Sequence, residues 1–410
     1  MAPYCFRSHR SGLETMNNDT VNRTVSAGAD VHQYPYEFNQ EIRRRARSVS
    51  SELLWMSVVS TAVELSLLFF ITFAGPGKWI ASSLEYLSWF PRVCIFSSTI
   101  VLLFYAVGMP FAYRIHGIRK RYGIATAGTV NWLTDSLKAL LISMVFITGA
   151  STLLLALISL SNLWWLLAAT AYVLFTVTYS RFFPFLALRF FYRIRPLEDG
   201  EVSRKIMALL KSLSLDRMSI YVIDESSRST MANAFVAGIG KKKRIVLYDN
   251  TIRFFTPEEV TCITAHELGH YLAGDSWKSW VSNVLMAYIS ALLLYAVYSL
   301  ALHMHSLYSP TDPYVLLLFS ITLSITGAAL TPLTNYISRK RERCADLFSL
   351  NAYRNPVAFI SSEKRLCDLN LMDDDPGTIR KILFATHPST AERVRMGEAW
   401  RSSAEAAKEG

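Results

Sequence analysis

ALLISMVFITGASTLLLALISLSNLWWLLAATAYVLFTVTYS, Ala139–Ser180, runs for 42 residues without a charged side chain. As a single helix it would reach about 63 Å, roughly twice the thickness of a bilayer's hydrocarbon core. It therefore reads as two membrane spans that fold back where the polar pair Ser161–Asn162 interrupts it. Working outward, the same pattern recurs. Leu53–Ala74 carries one charge, Glu64, whereas Val93–Tyr113, Ser279–Leu302 and Pro313–Ser338 carry none. Uncharged runs of about 18 or more residues are rare in water-soluble helices. The chain is 51% apolar with a mean hydropathy of +0.25, and the pattern predicts six spans. Glu64 must face the bundle or a wet cavity, or pair with a neighbouring helix, and the sequence leaves both readings open.

Basic residues set the topology. Arg43, Arg44, Arg45 and Arg47 precede the first span; Arg114, Arg119, Lys120, Arg121 and Lys138 lie between the second and third; Arg189, Arg193 and Arg195 follow the fourth; SRKRER closes the sixth. Among the intervening loops only the first holds any, Lys78 and Arg92. This alternation predicts cytosolic termini and a cytosolic segment between the fourth and fifth spans. The net charge of +10 is mostly this bias. A nucleic-acid partner is not expected, because the basic residues flank spans instead of covering one soluble face. The first ~35 residues are polar and show no apolar core of a signal peptide. Two glycosylation-like triplets, at Asn18 and Asn22, fall in the cytosol on this topology. The five cysteines are odd in number and scattered, which suggests neither a disulfide frame nor a Cys-based metal site.

The fold expected is a multi-span α-helical membrane protein with a cytosolic α+β domain, zincin-like because its last helix carries His266-Glu-Leu-Gly-His270. Its parts are a polar tail (1–40), a membrane domain (41–188, spans about 53–74, 93–113, 139–160 and 163–180), the domain that holds HELGH (189–278), two further spans (279–338) and a helical C-terminal part (339–410). Within 189–278, PLEDGEVSRKIMALLKSLSL has helical spacing. MSIYVID, NAFVAG and RIVLYD read as strands, the last two joined by the basic turn IGKKK. Thr256 caps the next helix, Pro257 suits its first turn and Glu259 completes a capping box.

That helix carries HELGH. Residues four apart share a helix face, so His266 and His270 can reach one ion, and neutral imidazoles suit Zn²⁺. Glu267 stands beside the first of them, placed to take a proton from water activated by the metal. Gly269 leaves room for substrate or backbone. A catalytic zinc needs a third protein ligand. Glu342 and Asp346, four apart in NYISRKRERCAD, can supply one ligand and one residue that orients an imidazole. Spacing alone leaves open whether Glu342 belongs instead to a solvated run with Arg339, Lys340, Arg341 and Arg343.

HELGH, two spans, NYISRKRERCAD and then THPSTAER together resemble the integral-membrane zinc metalloproteases of the gluzincin type, and more closely the CAAX prenyl protease family. RKRYGIATAGTVNWLTDSLKALL, RPLEDGEV, YVIDESSRSTMANAFVAG and KKKRIVLYDNTI extend the resemblance from about Gln33 to Gly397. It implies one Zn²⁺ per chain on His266, His270 and Glu342, with Glu267 as base and His387 stabilising the oxyanion. It implies support from Asp346, Asn335 and Arg339. It further implies a peptide paired to the strand edge at Asn233, Ala234 and Phe235, with Arg393 near its C-terminal end. The substrates implied are prenylated or other membrane-delivered proteins. Eukaryotic members have seven spans, against six counted here. Asp275 replaces a frequent histidine and Ser389 a frequent proline, and both are expected to shift substrate preference without touching the zinc. A heat-shock-type quality-control protease shares the zinc motifs and is the alternative. The intact catalytic set disfavours a third class, an inert membrane scaffold. The membrane would be the endoplasmic reticulum in a eukaryote, or the inner or plasma membrane in a bacterium.

Overall fold

The computed structural model describes residues 34–237, 243–304, 307 and 309–409, with backbone alone for 180–191 and 408–409. The polar tail up to residue 33, Asn18 and Asn22 with it, and Lys241 and Lys242 of the basic turn lie outside the described residues.

The membrane part opens with α1 (Gln40–Phe73), a short α2 (Pro76–Ser83), α3 (Trp89–Arg121), α4 (Thr129–Leu160) and α5 (Trp164–Phe191). It resumes with α9 (Asp275–His303) and α10 (Val315–Tyr353). Among the described residues five helices are long and apolar enough to cross a membrane: α1, α3, α4, α9 and α10. A sixth apolar stretch, Trp164–Tyr179, belongs to α5, so the six expected spans fall on these six helices. Leu141, Val145, Leu174 and Leu285 are all more than half exposed, an outward apolar face that lipid, not water, must cover. The chain folds back where the 42-residue run predicted it: α4 ends at Leu160 and the Ser161 hydroxyl accepts the Leu163 N–H.

Between the two membrane parts lie β1 (Ile194–Pro196), α6 (Glu201–Ser212), β2 (Ser219–Ile223), β3 (Ala234–Ala237), β4 (Arg244–Tyr248), α7 (Asp249–Phe254) and α8 (Pro257–Leu272). The strand order is β1-β2-β4-β3, with β2 and β4 parallel and both outer pairs antiparallel. The expected strands are there, and β1 is an addition. Ile245 and Leu247 of β4 pack with Leu209 and Leu210 of α6 and with Val260, Ile263 and Leu268 of α8. Thr256 caps α8 with the full capping box.

After α10 come α11 (Pro356–Leu369), α12 (Thr378–Phe384) and α13 (Thr390–Glu409). The boundary placed at 338/339 falls inside α10, and the one at 278/279 inside α9. The charged run at Arg339–Arg343 does not end the helix. It marks where α10 leaves lipid and enters the protease domain, burying Arg339 and Glu342 and exposing Lys340 and Arg343.

Candidate active site

Two helices make the site. α8 brings HELGH, and the C-terminal half of α10 crosses it closely. A Cβ added at Gly269 would stand 3.0 Å from the Ala345 Cα and 3.1 Å from the Phe348 Cβ. A side chain there would crowd the α10 backbone, so the room beside the metal motif is taken by α10.

This crossing brings His266, His270 and Glu342 together. His266 Nε2 lies 3.2 Å from His270 Nε2, and each Nε2 lies 3.3 Å from a Glu342 oxygen. A tetrahedral ion with bonds of ~2.0–2.1 Å would hold its ligand atoms roughly 3.3–3.4 Å apart. Glu342 Oε2 is buried and has no hydrogen-bond partner, an acceptor left for a cation. Burial alone would push the His266 imidazolium down; the Asp346 and Glu342 carboxylates beside it more than offset that and lift it to about 10. The donor set, two imidazoles and a carboxylate, fits a divalent zinc-type ion.

Both imidazoles have a carboxylate behind them. His266 Nδ1 meets Asp346 Oδ1 at 2.7 Å, and His270 Nδ1 meets Asp275 Oδ2 at 2.9 Å. A carboxylate can only accept from these nitrogens, so each Nδ1 carries the proton, and a neutral imidazole so held would present its Nε2 lone pair to the shared point. Asp275 was expected to leave the zinc untouched; instead it sits directly behind one of the two histidines. Its signal in the sequence was faint, five residues beyond His270 and just after Gly274, which turns the chain with φ +68°.

Glu267 and His387 reach a cavity of about 90 Å³, shared with Asn233, Ile263, Phe359, Glu363 and Arg393. Burial raises the Glu267 carboxyl above its ordinary value, although the neighbouring histidines pull it back. That direction suits a base working near neutral pH. His387 Nε2 stands 3.4 Å from Glu342 Oε1, on the rim of the cluster. Asn335 and Arg339 do not touch the histidines. Asn335 donates to the carbonyls of Ile382 and Leu383, and Arg339 to those of Lys381 and Ala385. They hold the end of α12, two residues before His387.

β3 is the edge of the sheet beside this cavity. Asn233 C=O accepts from Tyr248 on β4, so alternation turns the main-chain groups of Ala234 and Val236 to the open side. One of those groups is already engaged: the Ala234 N–H donates to the Asn233 side chain. Phe235 packs edge-on against Tyr248. Arg393 lines the cavity, but its guanidinium is spanned by Asp346 on one side and Glu363 on the other. A substrate carboxylate could reach it only by displacing Glu363. Burial pushes the Glu363 carboxyl up to about 7 despite Arg393. Nothing in the sequence marked Glu363 as part of the site.

A family model described as Peptidase family M48 matches residues 196–401, and one described as CAAX prenyl protease N-terminal, five membrane helices, matches residues 31–193. Helices α1–α5 occupy that second region. An uncharacterized metalloprotease of Bacillus subtilis, YhfN, is 27% identical over 78% of this chain and 76% of its own length. The probable CAAX prenyl protease 1 of Schizosaccharomyces pombe is 28% identical over 73% of this chain and 64% of its own. The CAAX prenyl protease 1 of Saccharomyces cerevisiae is 25% identical over 70% and 68%. The crystal structure of S. mikatae Ste24p superposes with a TM-score of 0.79 at 20% identity, over 93% of this chain and 95% of that one, a likeness of fold.

Proposed function

The chain belongs to peptidase family M48 and is a multi-span membrane metalloprotease, and from that premise we propose that it holds one Zn²⁺ on His266, His270 and Glu342 and cuts near the C-terminus of prenylated proteins. The observation that carries the zinc reading is the convergence of the three side chains, the two Nε2 atoms 3.2 Å apart and each 3.3 Å from a different Glu342 oxygen, of which Oε2 has no hydrogen-bond partner.

Zinc, when bound, polarises the scissile carbonyl and acidifies water. Glu267 takes the proton from the attacking water and hands it to the leaving amine. His387 donates to the carbonyl oxygen as it gains charge. Asp346 and Asp275 keep both imidazoles in the tautomer that frees Nε2. The substrate lies along the open edge of β3 as an added strand. Its main-chain pairing makes cleavage tolerant of sequence, so selectivity comes from delivery. A prenyl chain partitions into the membrane part at ~0.8 kcal/mol per buried CH₂. The protease domain and both termini lie on the cytosolic side in this reading.

Two relatives named CAAX prenyl protease 1 support the prenyl substrate. The Bacillus subtilis metalloprotease, similar over as much of the chain, supports a second reading, a membrane quality-control protease, because prenylated proteins are not expected in bacteria. Cleavage of a farnesylated peptide beside its unprenylated twin decides between them. At least tenfold faster cutting of the farnesylated peptide is expected; equal rates would put the quality-control reading ahead.

A further inference from the structure

We propose that Asp275, the first residue of membrane helix α9, is a positioning residue of the metal site that fixes His270. The inference rests on the zinc reading above. α8 stops at Leu272, and Gly274, in the left-handed region at φ +68°, reverses the chain so that Asp275 faces back to His270. Asp275 is 8% exposed, with Oδ2 on His270 Nδ1 and Oδ1 at 3.6 Å from Lys278. One turn further on, Arg341 of α10 donates to the Ser279 hydroxyl and ties α9 to the helix that carries Glu342. The carboxylate's hydrogen bond is to His270, and the helix that carries it is tied to α10.

Three consequences follow from this geometry. The imidazole keeps its proton on Nδ1, so Nε2 stays available. The ring cannot swing away from the point it shares with His266 and Glu342. A second carboxylate joins Asp346 in the shell around the ion, which a histidine at this position would not supply as charge. The metal site is thus supported by two membrane helices, His266 by α10 through Asp346 and His270 by α9 through Asp275.

The test uses the full-length protein in detergent. Apparent zinc affinity is read by chelator competition for the parent, Asp275→Ala, Asp275→Asn and His270→Ala, and the thermal midpoint is read in excess zinc. Asp275→Ala should lose ~10–100-fold in zinc affinity. Asp275→Asn, which keeps an acceptor oxygen but not the charge, should recover part of that loss at an unchanged midpoint. Zinc affinity of folded Asp275→Ala within twofold of the parent would overturn the proposal. Should the alanine variant not fold, the asparagine variant decides at the same threshold. His270→Ala separates the two levels: parental affinity there removes the zinc assignment itself, whereas loss there with none at Asp275 removes only this inference.

Discussion

Glu267 and His387 come from different elements, α8 and the loop ahead of α13, yet open on one small cavity that His266 also lines. They can be separated by what each leaves intact. Glu267→Gln removes a base and no ligand, so zinc content should stay parental while kcat falls ~10²–10⁴-fold. His387→Ala removes one donor to a developing oxyanion and should cost ~10²–10³-fold. Metal analysis with single-turnover cleavage checks both; a near-parental rate for either variant removes it from the mechanism. At this scale HELGH was legible because the information is local: a spacing of four is one helix face. Glu342 was half legible, since its spacing to Asp346 was plain but the direction that face would point was not. Arg43 was read as one of a basic run flanking a span, yet it is buried on Asp368, 325 residues away. Arg393 was read toward a substrate, yet two internal carboxylates hold it. Pairs so distant in sequence leave no periodic trace, and burial of one arginine among several is decided only by what packs over it.

At the scale of elements, the end of α12 shows how the site is assembled. The last carbonyls of any helix lack partners within it. Here Asn335 and Arg339 of α10 supply four donor contacts to the carbonyls of residues 381–385, in place of a glycine cap. His387 follows two residues later, so on the proposed mechanism α10 would supply a ligand, Glu342, and also anchor the oxyanion donor. Arg339→Ala should leave zinc binding intact and lower kcat, by no more than the ~10²–10³-fold that removing His387 itself costs. Zinc content and kcat measured on one preparation test this. Loss of zinc, or an unchanged kcat, would refute the anchoring role. Elements whose cause is local were readable: the Thr256–Glu259 capping box lies within four residues of sequence. β1 was not, because three residues ending in Pro196 have little strand character of their own and become a strand only by pairing with β2. The continuity of α10 was hidden for a related reason. A charged run after an apolar one looks like a boundary, while the helix runs on through a change of surroundings.

For the whole molecule, contacts of the protease domain sort the ends of the membrane helices. Tyr36 and Arg43, at the start of α1, are bound to Ser361 and Asp368 of α11. The turn between α3 and α4 pairs Ala125 with Ser229. Both junctions therefore lie at the protease end. The far end gathers α2 and the start of α10, where the Tyr314 hydroxyl donates to the Thr72 carbonyl. Trp79, Tyr86, Trp89 and Phe90 are exposed around α2, a placement that suits aromatic side chains at a membrane–water interface. The helix lengths then carry α4 away from the protease domain to the Ser161–Asn162 turn and α5 back from it. Basic residues follow the same division: Arg43–Arg47 and Arg119–Arg121 stand at the protease end, so that end should be cytosolic. Single introduced cysteines can test this in a background without Cys5, Cys94 and Cys344, since Cys262 and Cys367 are buried. An impermeant maleimide should reach Asn162→Cys only from the non-cytosolic face and Thr129→Cys only from the cytosolic face. Labelling of both from one face would mean that α4 does not cross. Labelling of Asn162→Cys from the cytosol, with Thr129→Cys on the other side, would keep the helices and invert the protein. The zinc site would then face away from any substrate made and modified in the cytosol, and the prenyl-protein reading would fall with the orientation.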